Sequence, residues 1–289
     1  MKSRIVAKAY AKVNFNLKVL PKREDGYHSI ESIFQTIDVY DELTVDFVEE
    51  KGCHVTCDAM QLPQVNTLTL AYEAFCQTCS CNVPGVEIFI KKGIPAGGGL
   101  GGGSSDAAAL IRVLEKRCGI NLSDLQLDYI ASKTGSDVFF FMHCDSDGKG
   151  CALVSGRGEV IKKIDSRTDL HLVVIFPDVS SSTKEAYSLV DKMIESGKNI
   201  ECPFFEKLEV IYRKDPSEWT FKNTFTPALT EKYSEIKEAL EMLKTGGADY
   251  AEMSGSGSTV FGVFADEHHA FFCGNLLAQS FKSYHVRTI

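Results

Sequence analysis

The chain has 289 residues, with 31 Lys and Arg against 39 Asp and Glu, giving a formal net charge of −8. This acidic balance argues against general binding to nucleic acid or to anionic membrane surfaces. Hydrophobic residues make up 44%, which is enough for a substantial core. No apolar run approaches the ~20 residues of a membrane span, and the start lacks the apolar core of a signal peptide. We therefore predict a cytoplasmic globular protein whose ten cysteines are reduced thiols.

Alternating apolar and polar residues predict three strands in the first ninety residues. Residues 12–19 alternate Lys and Asn with Val, Phe and Leu, which is typical of a strand with one buried and one polar face. Residues 30–48 continue this pattern near period two, and residues 86–91 repeat it directly before a glycine run. The strand before the glycine run is therefore half-buried rather than fully apolar.

The remaining elements mix helices and strands without a regular βαβ repeat. Helices are predicted over residues 67–79, 107–116, 124–133, 184–195, 228–244 and 268–281. Strands are predicted over residues 138–142, 151–154, 160–164, 171–176 and 259–264. Ser123 is a plausible N-cap for the third of these helices, and Gly135 suits its end. This order indicates an α+β chain, which we divide into two lobes, 1–160 and 161–289.

The glycine run joins a predicted strand to a predicted helix. It reads Pro95, Ala96, Gly97, Gly98, Gly99, Leu100, Gly101, Gly102, Gly103, Ser104 and Ser105. With few Cβ atoms, such a backbone can curl and direct successive N–H groups at one anion. The helix that follows adds its positive dipole end, and the two serines add hydroxyl donors. The segment therefore predicts a phosphate-binding loop.

Three other interpretations of this loop are weaker. A Walker loop requires a Lys at the helix entrance, and none follows these glycines. The spacing Gly97-x-Gly99-x-x-Gly102 fits a dinucleotide fingerprint, but the strand before it alternates instead of being apolar on both faces. A purely structural loop leaves the entropic cost of so many glycines without a compensating ligand.

Four segments resemble motifs of the GHMP kinases. The glycine run with Asp106-Ala107-Ala108 is similar to their ATP-binding motif, and Met253–Gly262 is similar to their C-terminal glycine motif. Residues 11–28 contain Ala-Lys-x-Asn-x-x-Leu and Asp-Gly-Tyr-His, and residues 134–141 resemble Gly-Ala-Asp-Val-Pro-Phe-Phe, with Ser136 and Phe139 departing from it. Among these kinases, the Asp-Gly-Tyr-His segment is similar to the one that distinguishes the 4-diphosphocytidyl-2-C-methyl-D-erythritol kinase family. The resemblance runs along most of the chain.

This resemblance implies a two-lobed GHMP kinase fold and transfer of phosphate from ATP to the 2-hydroxyl of a cytidine-diphosphate-linked methylerythritol. Asp137 is then the expected proton acceptor and Lys12 its expected cationic partner. Substrate contacts are expected from Asn14, Tyr27, His28, Tyr187, Gly255, Ser256 and Gly257. Mg²⁺ is expected with ATP, held mainly by phosphates, so we assign it no protein ligand.

Other assignments stay open at this point. A different GHMP kinase would act on homoserine, mevalonate or a sugar, and a non-catalytic relative would bind its ligand without turnover. A Rossmann dehydrogenase, which would bind NAD in place of ATP, is a further alternative. Cys76-x-x-Cys79 has a zinc-like spacing, but it lies in a predicted helix with no second half, which favours free thiols. The sequence does not define the oligomeric state.

Overall fold

The computed structural model describes residues 4–289, and its first part is a six-stranded sheet. The strands are β1 (Arg4–Lys22), β2 (His28–Val48), β3 (Cys53–Cys57), β4 (Gly85–Lys91), β5 (Cys151–Gly156) and β6 (Val160–Ile164). Their order is β3-β4-β2-β5-β6, with β1 paired antiparallel to β2. The long β1–β2 ribbon is the frame of this sheet, and its length follows from the sustained period-two pattern.

Four helices pack on this sheet: α1 (Thr67–Thr78), α2 (Gly102–Cys118), α3 (Asp124–Thr134) and α4 (Ser136–Met142). Their apolar residues and those of the sheet form one core cluster. Ser123 is the N-cap of α3 with a reciprocal capping box, and Gly135 ends that helix, as the sequence predicted.

The predicted strand over residues 138–142 is wrong, because these residues form α4. Gly135 ends α3 and also precedes the first residue of α4, so the chain turns directly from one helix into the next. Val138, Phe140 and Phe141 are all buried against neighbouring helices. A short apolar run of this kind has no periodicity that separates helix from strand.

The second part of the chain contains a four-stranded antiparallel sheet in the order β10-β7-β9-β8. The strands are β7 (His171–Phe176), β8 (Tyr250–Met253), β9 (Val260–Phe264) and β10 (Lys282–Arg287). The helices are α5 (Thr183–Glu195), α6 (Leu208–Tyr212), α7 (Phe225–Lys232), α8 (Ser234–Thr245) and α9 (Glu267–Leu277). Short 3₁₀ turns occupy Phe205–Lys207 and Pro216–Glu218.

Two predictions for this part need correction. The single helix over residues 228–244 is two helices, because Tyr233 has extended backbone between α7 and α8. The helix expected over residues 268–281 ends at Leu277, and the edge strand β10 follows it. Tyr233 is fixed by a hydrogen bond from its hydroxyl to Glu185 at 3.1 Å, a tertiary contact that local helix periodicity cannot reveal.

Strand β1 contacts the second part of the chain as well as the first. The N–H of Leu17 donates to the carbonyl of Lys222 at 2.9 Å, and the hydroxyl of Tyr250 donates to the carbonyl of Phe15 at 2.7 Å. The expected polar face of β1 is consequently not exposed, because Asn14 and Asn16 are fully buried. Among residues 4–289, no helix has the length and apolar character needed to cross a bilayer.

Candidate active site

The glycine run forms the turn between β4 and α2. Helix α2 begins at Gly102, after Gly101 with left-handed backbone at φ 72°. The helix therefore starts inside the glycine run, five residues before Ala107, where the predicted helix begins. Its first N–H groups and the positive end of its dipole lie at this loop, which is the usual arrangement for binding phosphate at a helix N-terminus.

The C-terminal glycine motif packs directly on this loop. The Ser254 hydroxyl donates to the carbonyl of Gly99 at 3.1 Å, and the N–H of Thr259 donates to the carbonyl of Gly98 at 3.3 Å. Gly99 has φ 79°, and a Cβ built there would lie 2.1 Å from the carbonyl oxygen of Ser254. Part of the glycine content is thus required by close contact between two backbone segments, independently of any ligand.

Two cavities meet at the glycine loop. The larger has a volume of about 840 Å³ and lies between β1, the start of β2, α4 and α5. The smaller, of about 320 Å³, lies between the loop, the end of β4 and the start of α1. Gly97, Gly99 and Ser104 line both cavities. The glycine loop is therefore part of the wall of both cavities.

Lys12 and Asp137 form an ion pair in the larger cavity. The distance from Lys12 Nζ to Asp137 Oδ2 is 3.2 Å, with the lysine side chain 2% exposed and the aspartate side chain 34% exposed. Lys12 Nζ also donates to Asn14 Oδ1 at 2.7 Å and lies 4.5 Å from the ring centroid of Phe34. Asp137 lies in the first turn of α4, where the helix dipole stabilises a carboxylate. The lysine is held by three neighbours, while the carboxylate remains open to the cavity.

Aromatic side chains line the other end of the larger cavity. The rings of His28 and Tyr187 stack with centroids 5.1 Å apart, and Tyr187 also packs edge-on against Phe225. His28 is buried, and its Nδ1 donates to the carbonyl of Leu20 at 2.8 Å. Tyr27 remains exposed. Burial, with a smaller contribution from the Asp137 charge, raises the pKa of Tyr187 to about 12, so its phenol is neutral at physiological pH.

The two cavities collect most of the residues singled out from the sequence. The larger is lined by Lys12, Asn14, Tyr27, His28, Gly97, Gly99, Ser104, Asp137, Tyr187, Gly255 and Ser256. The smaller is lined by Pro95, Ala96, Leu100 and every glycine from Gly97 to Gly103, together with Ser104. Ser105 and Gly257 do not line these two cavities. The Ser105 hydroxyl is buried with no hydrogen-bond partner among the described residues.

Comparison with protein families and curated proteins agrees with this geometry. Residues 66–145 match the GHMP kinases N terminal domain, and residues 209–279 match the GHMP kinases C terminal model. A 4-diphosphocytidyl-2-C-methyl-D-erythritol kinase from Treponema pallidum is 36% identical over 94% of each protein. The same enzyme from Thermotoga maritima is 38% identical over 93% of this chain and 95% of its own length.

The chain belongs to the 4-diphosphocytidyl-2-C-methyl-D-erythritol kinase family of GHMP kinases.

Solved structures support the fold of this kinase family member. A crystal structure of 4-(cytidine 5'-diphospho)-2C-methyl-D-erythritol kinase superposes with a TM-score of 0.77 at 29% identity, covering 98% of this chain and 99% of that one. Homoserine kinase from Cytophaga hutchinsonii superposes with a TM-score of 0.71 at 19% identity, which shows the shared fold alone. The predicted two-lobed GHMP kinase fold is thus confirmed.

The kinase site also contains charged residues that sequence reasoning missed. Lys22, Arg157 and Lys184 line the larger cavity, and the guanidinium carbon of Arg157 lies 3.7 Å from the ring centroid of Tyr27. Asp191 Oδ1 lies 3.2 Å from His28 Nε2. Lys22 belongs to the basic first 23 residues and Arg157 to a Gly-Arg-Gly turn, both of which are common on solvated surfaces, and Lys184 lies in neither.

A buried charge cluster lies beneath the kinase's glycine loop. The ammonium of Lys92 contacts Asp41 and lies 3.6 Å from Asp106 Oδ2, while Asp41 Oδ1 accepts the N–H groups of Gly93 and Ile94, each at 2.8 Å. Burial, together with the nearby Asp41 charge, raises the pKa of the Asp106 carboxyl to about 8. The single ammonium of Lys92 cannot neutralise both buried carboxylates, so the Asp106 carboxyl keeps its proton to a higher pH.

The ten cysteines are all free thiols in the described part of the chain. Burial raises the pKa of Cys53 and of Cys79 to about 12, so the thiolate forms are disfavoured. These two thiols are therefore poor nucleophiles, and the Cys76-x-x-Cys79 segment lies at the end of α1 as expected.

Proposed function

We propose that this chain transfers the γ-phosphate of ATP to the 2-hydroxyl of 4-diphosphocytidyl-2-C-methyl-D-erythritol in the non-mevalonate isoprenoid precursor pathway. The proposal depends on the ion pair of Lys12 and Asp137, whose Nζ and Oδ2 atoms lie 3.2 Å apart in the larger cavity. The glycine loop lines both this cavity and the smaller one. Phosphoryl transfer depends mainly on positioning and on charge stabilisation, and this pair can supply both beside the loop.

In the proposed reaction Asp137 accepts the proton of the substrate hydroxyl as its oxygen bonds to the γ-phosphorus. The bond from that phosphorus to the bridging β–γ oxygen breaks, and ADP leaves. Lys12 stabilises negative charge on the transferred group. Lys12 lies beside the loop, since a Cβ built on Gly101 would lie 3.2 Å from Lys12 Cε.

ATP is proposed to occupy the smaller cavity, with its phosphates along Pro95–Ser105 and the α2 N-terminus. Asn66 and Thr67 at the start of α1 line the same cavity and offer polar contacts at the nucleoside end. Mg²⁺ would accompany ATP and neutralise phosphate charge. The hydroxyl and carboxylate oxygens of the larger cavity suit an oxygen-preferring ion, but phosphates and water would supply most of its ligands.

The cytidyl substrate is proposed to fill the larger cavity. Tyr187, His28 and Tyr27 form the aromatic end, where a cytosine can stack, and Lys22, Arg157 and Lys184 can pair with its diphosphate. Gly255 and Ser256 line this cavity and follow Ser254, which holds the glycine loop, so we propose them as contacts at the reacting end, whereas Gly257 lies outside the lining.

Two broader assignments remain proposals. A division into two lobes, expected at 1–160 and 161–289, is supported by the separate sheets β1–β6 and β7–β10, but the boundary moves to a point after Ile164, the last residue of β6. A cytoplasmic location is supported by ten free thiols, which persist in reducing compartments.

The test is an ADP-release assay with the cytidyl substrate, run on the wild-type chain and on Asp137→Asn. Removing the proton acceptor should lower kcat by about 10²–10⁴-fold while ATP affinity is retained. Asp191→Asn is the matched control, because this carboxylate lines the same cavity but contacts His28, so it should change KM more than kcat.

Three outcomes would contradict the proposal. Full turnover by Asp137→Asn would remove this residue from the base role. Turnover of homoserine, mevalonate or a sugar, without turnover of the cytidyl substrate, would indicate another GHMP kinase. In a crystal soaked with an ATP analogue, phosphates far from Pro95–Ser105 would refute the nucleotide site.

A further inference from the structure

Three metal-ligating side chains meet at the edge of the second sheet, apart from the two cavities of the kinase site. His171, Glu267 and His285 each offer one ligand atom, and the three atoms all lie within 4.8 Å of one another. They come from three elements: the first residue of β7, the first residue of α9 and the edge strand β10. The cluster therefore joins parts of the chain that are more than ninety residues apart in sequence.

The sheet register explains why the two histidines are neighbours. Strands β7 and β10 pair antiparallel, with His285 opposite Val173 and Arg287 opposite His171. Residues two apart on a strand share a face, so His171 and His285 are diagonal neighbours on one face of the sheet. Their rings stack with centroids 6.1 Å apart and planes at 18°.

That face is the one covered by α9. A Cβ built on Gly274 of α9 would lie 3.6 Å from a Val173 methyl carbon and 3.8 Å from His285 Cβ. Phe271 of the same helix packs edge-on against the His285 ring at 6.1 Å. The two imidazoles therefore project toward the helix whose first residue is Glu267.

The three side chains have polar atoms that other residues do not use. The Nδ1 atom of His171 is buried and has no hydrogen-bond partner among residues 4–289. An unpartnered buried nitrogen has lost the hydrogen bonds that it makes with water in the unfolded chain. The described contacts of His285 are ring contacts, and no hydrogen bond or ion pair within residues 4–289 engages Glu267. Arg287, two residues after His285 on β10, does not pair with Glu267, because it forms an ion pair with Asp38 at 3.4 Å.

We propose that His171, His285 and Glu267 bind one divalent transition-metal ion of the zinc class, with water completing the coordination. Two imidazoles and one carboxylate are a donor set that zinc accepts, and Mg²⁺ does not favour imidazole nitrogen. Ligand atoms of a tetrahedral zinc ion lie about 3.4 Å apart, from bond lengths of about 2.0–2.1 Å. Glu267 and His285 are exposed side chains, so modest rotations can bring their atoms that close.

Such an ion would fasten β7, the edge strand β10 and the start of α9 to one another. An ion that binds only the folded chain stabilises it by mass action. The site lies outside the catalytic cavities, so it would act on the stability of this part of the fold without taking part in phosphoryl transfer.

The test uses untagged, chelator-treated protein titrated with Co²⁺ and with Zn²⁺, followed by calorimetry, visible absorption and thermal unfolding. We expect one ion per chain and a higher Tm. Cobalt on nitrogen and oxygen ligands should give visible bands without the strong near-ultraviolet charge-transfer absorption of cobalt thiolates. That spectrum separates the proposed site from the ten cysteines.

His285→Ala should weaken binding at least about tenfold and abolish the Tm increase. Glu267→Gln keeps the shape of an exposed side chain and should also weaken binding, so the test does not depend on one variant. His268→Ala is the matched control, an exposed histidine next to Glu267 that is outside the cluster. Kinase activity with Mg²⁺ and ATP should be unchanged in all three, which verifies folding.

Unaltered cobalt binding in His285→Ala and Glu267→Gln, absence of saturable binding, or a thiolate spectrum would overturn the proposal.

Discussion

Lys12 Nζ lies 3.2 Å from Asp137 Oδ2, and the lysine is almost completely buried while the aspartate faces the cavity. The lysine comes from β1 and the aspartate from the first turn of α4. Asn14 and the Phe34 ring hold the ammonium from other directions. The cation is therefore fixed before any substrate binds, which is the preorganisation that electrostatic catalysis requires.

The first prediction concerns this lysine. Lys12→Met should lower kcat by about 10²–10³-fold, because it removes one preorganised cation from the reacting group. Stability should change little, since Met fills the space of the buried lysine stem and the remaining Asp137 carboxylate, 34% exposed, can be solvated by water. Steady-state kinetics and thermal unfolding measure the two effects. Lys8→Met, on an exposed part of the same strand, should leave kcat unchanged.

A collapse of folding in Lys12→Met would contradict this separation of roles. Equal losses of kcat in Lys8→Met and Lys12→Met would show that general positive charge, rather than the contact with Asp137, is responsible.

The second prediction concerns the close approach of Gly99 to Ser254. Gly99→Ala and Gly97→Ala both place a side chain at positive φ, 79° and 73°, which costs about 1–3 kcal/mol. Only the Gly99 substitution also puts a Cβ 2.1 Å from a carbonyl oxygen, whereas the described residues leave open space around Gly97. Gly99→Ala should therefore be the more destabilised variant and should lose more ATP affinity. Denaturant unfolding and nucleotide titration would measure both, and equal effects would contradict the packing role.

The third prediction concerns the stack of Tyr187 on His28. Tyr187→Ala should raise KM for the cytidyl substrate by an amount equivalent to about 1–3 kcal/mol, the usual contribution of one stacked base. Tyr187→Phe keeps the ring and should behave like the wild type, because the phenol is neutral in the working pH range. Steady-state kinetics at varied cytidyl substrate and fixed ATP would compare the KM values of the two variants with that of the wild type. A larger effect on the KM for ATP would contradict the proposal that the cytidyl substrate occupies the cavity lined by Tyr187.

The fourth prediction concerns the pH dependence of stability. Since the pKa of Asp106 is raised to about 8, the folded chain keeps a proton that the unfolded chain releases near pH 4. The free energy of unfolding should then fall as pH rises from about 4 to about 8. Asp106→Asn removes this titration, so its stability should depend less on pH between about pH 6 and pH 8.5. Urea unfolding of the wild type and of Asp106→Asn at about pH 6 and about pH 8.5 would measure how far the free energy of unfolding changes in each.

Asp169→Asn is the control for that experiment. Its hydrogen bond with Arg167 lowers the pKa of Asp169, so its contribution is already complete near neutral pH and is lost only in acid. An unchanged slope in Asp106→Asn would show that Asp106 is ionised in the folded kinase throughout this range.

The sequence predicted the site best where a motif specified its chemistry. Lys12 and Asp137 are 125 positions apart, and only motif resemblance related them before the structure placed them in contact. Arg157 and Lys184 had no such signal, because a single charged residue in a turn or at a helix start is usually solvated. Their role depends on how β5–β6 and α5 are placed around the cavity, which is tertiary information.

The errors in secondary structure have the same origin. The residues of α4 are apolar enough for either a strand or a helix, and packing against α2 and α3 decides the outcome. The period-two pattern of β1 was correctly identified, but alternation alone does not say whether its polar face meets solvent or protein. Asn14 and Asn16 are buried and hydrogen-bonded, which local alternation cannot distinguish from exposure.

The attachment of β1 to the second sheet also bears on how the chain reaches its native state. Tyr250 contacts the carbonyl of Phe15 across 235 positions, so β1 cannot complete its hydrogen bonds until β8 has also been synthesised. Contacts of such high sequence separation slow folding. A nascent first half would therefore leave Phe15 and its neighbours uncovered, and would require early protection from aggregation.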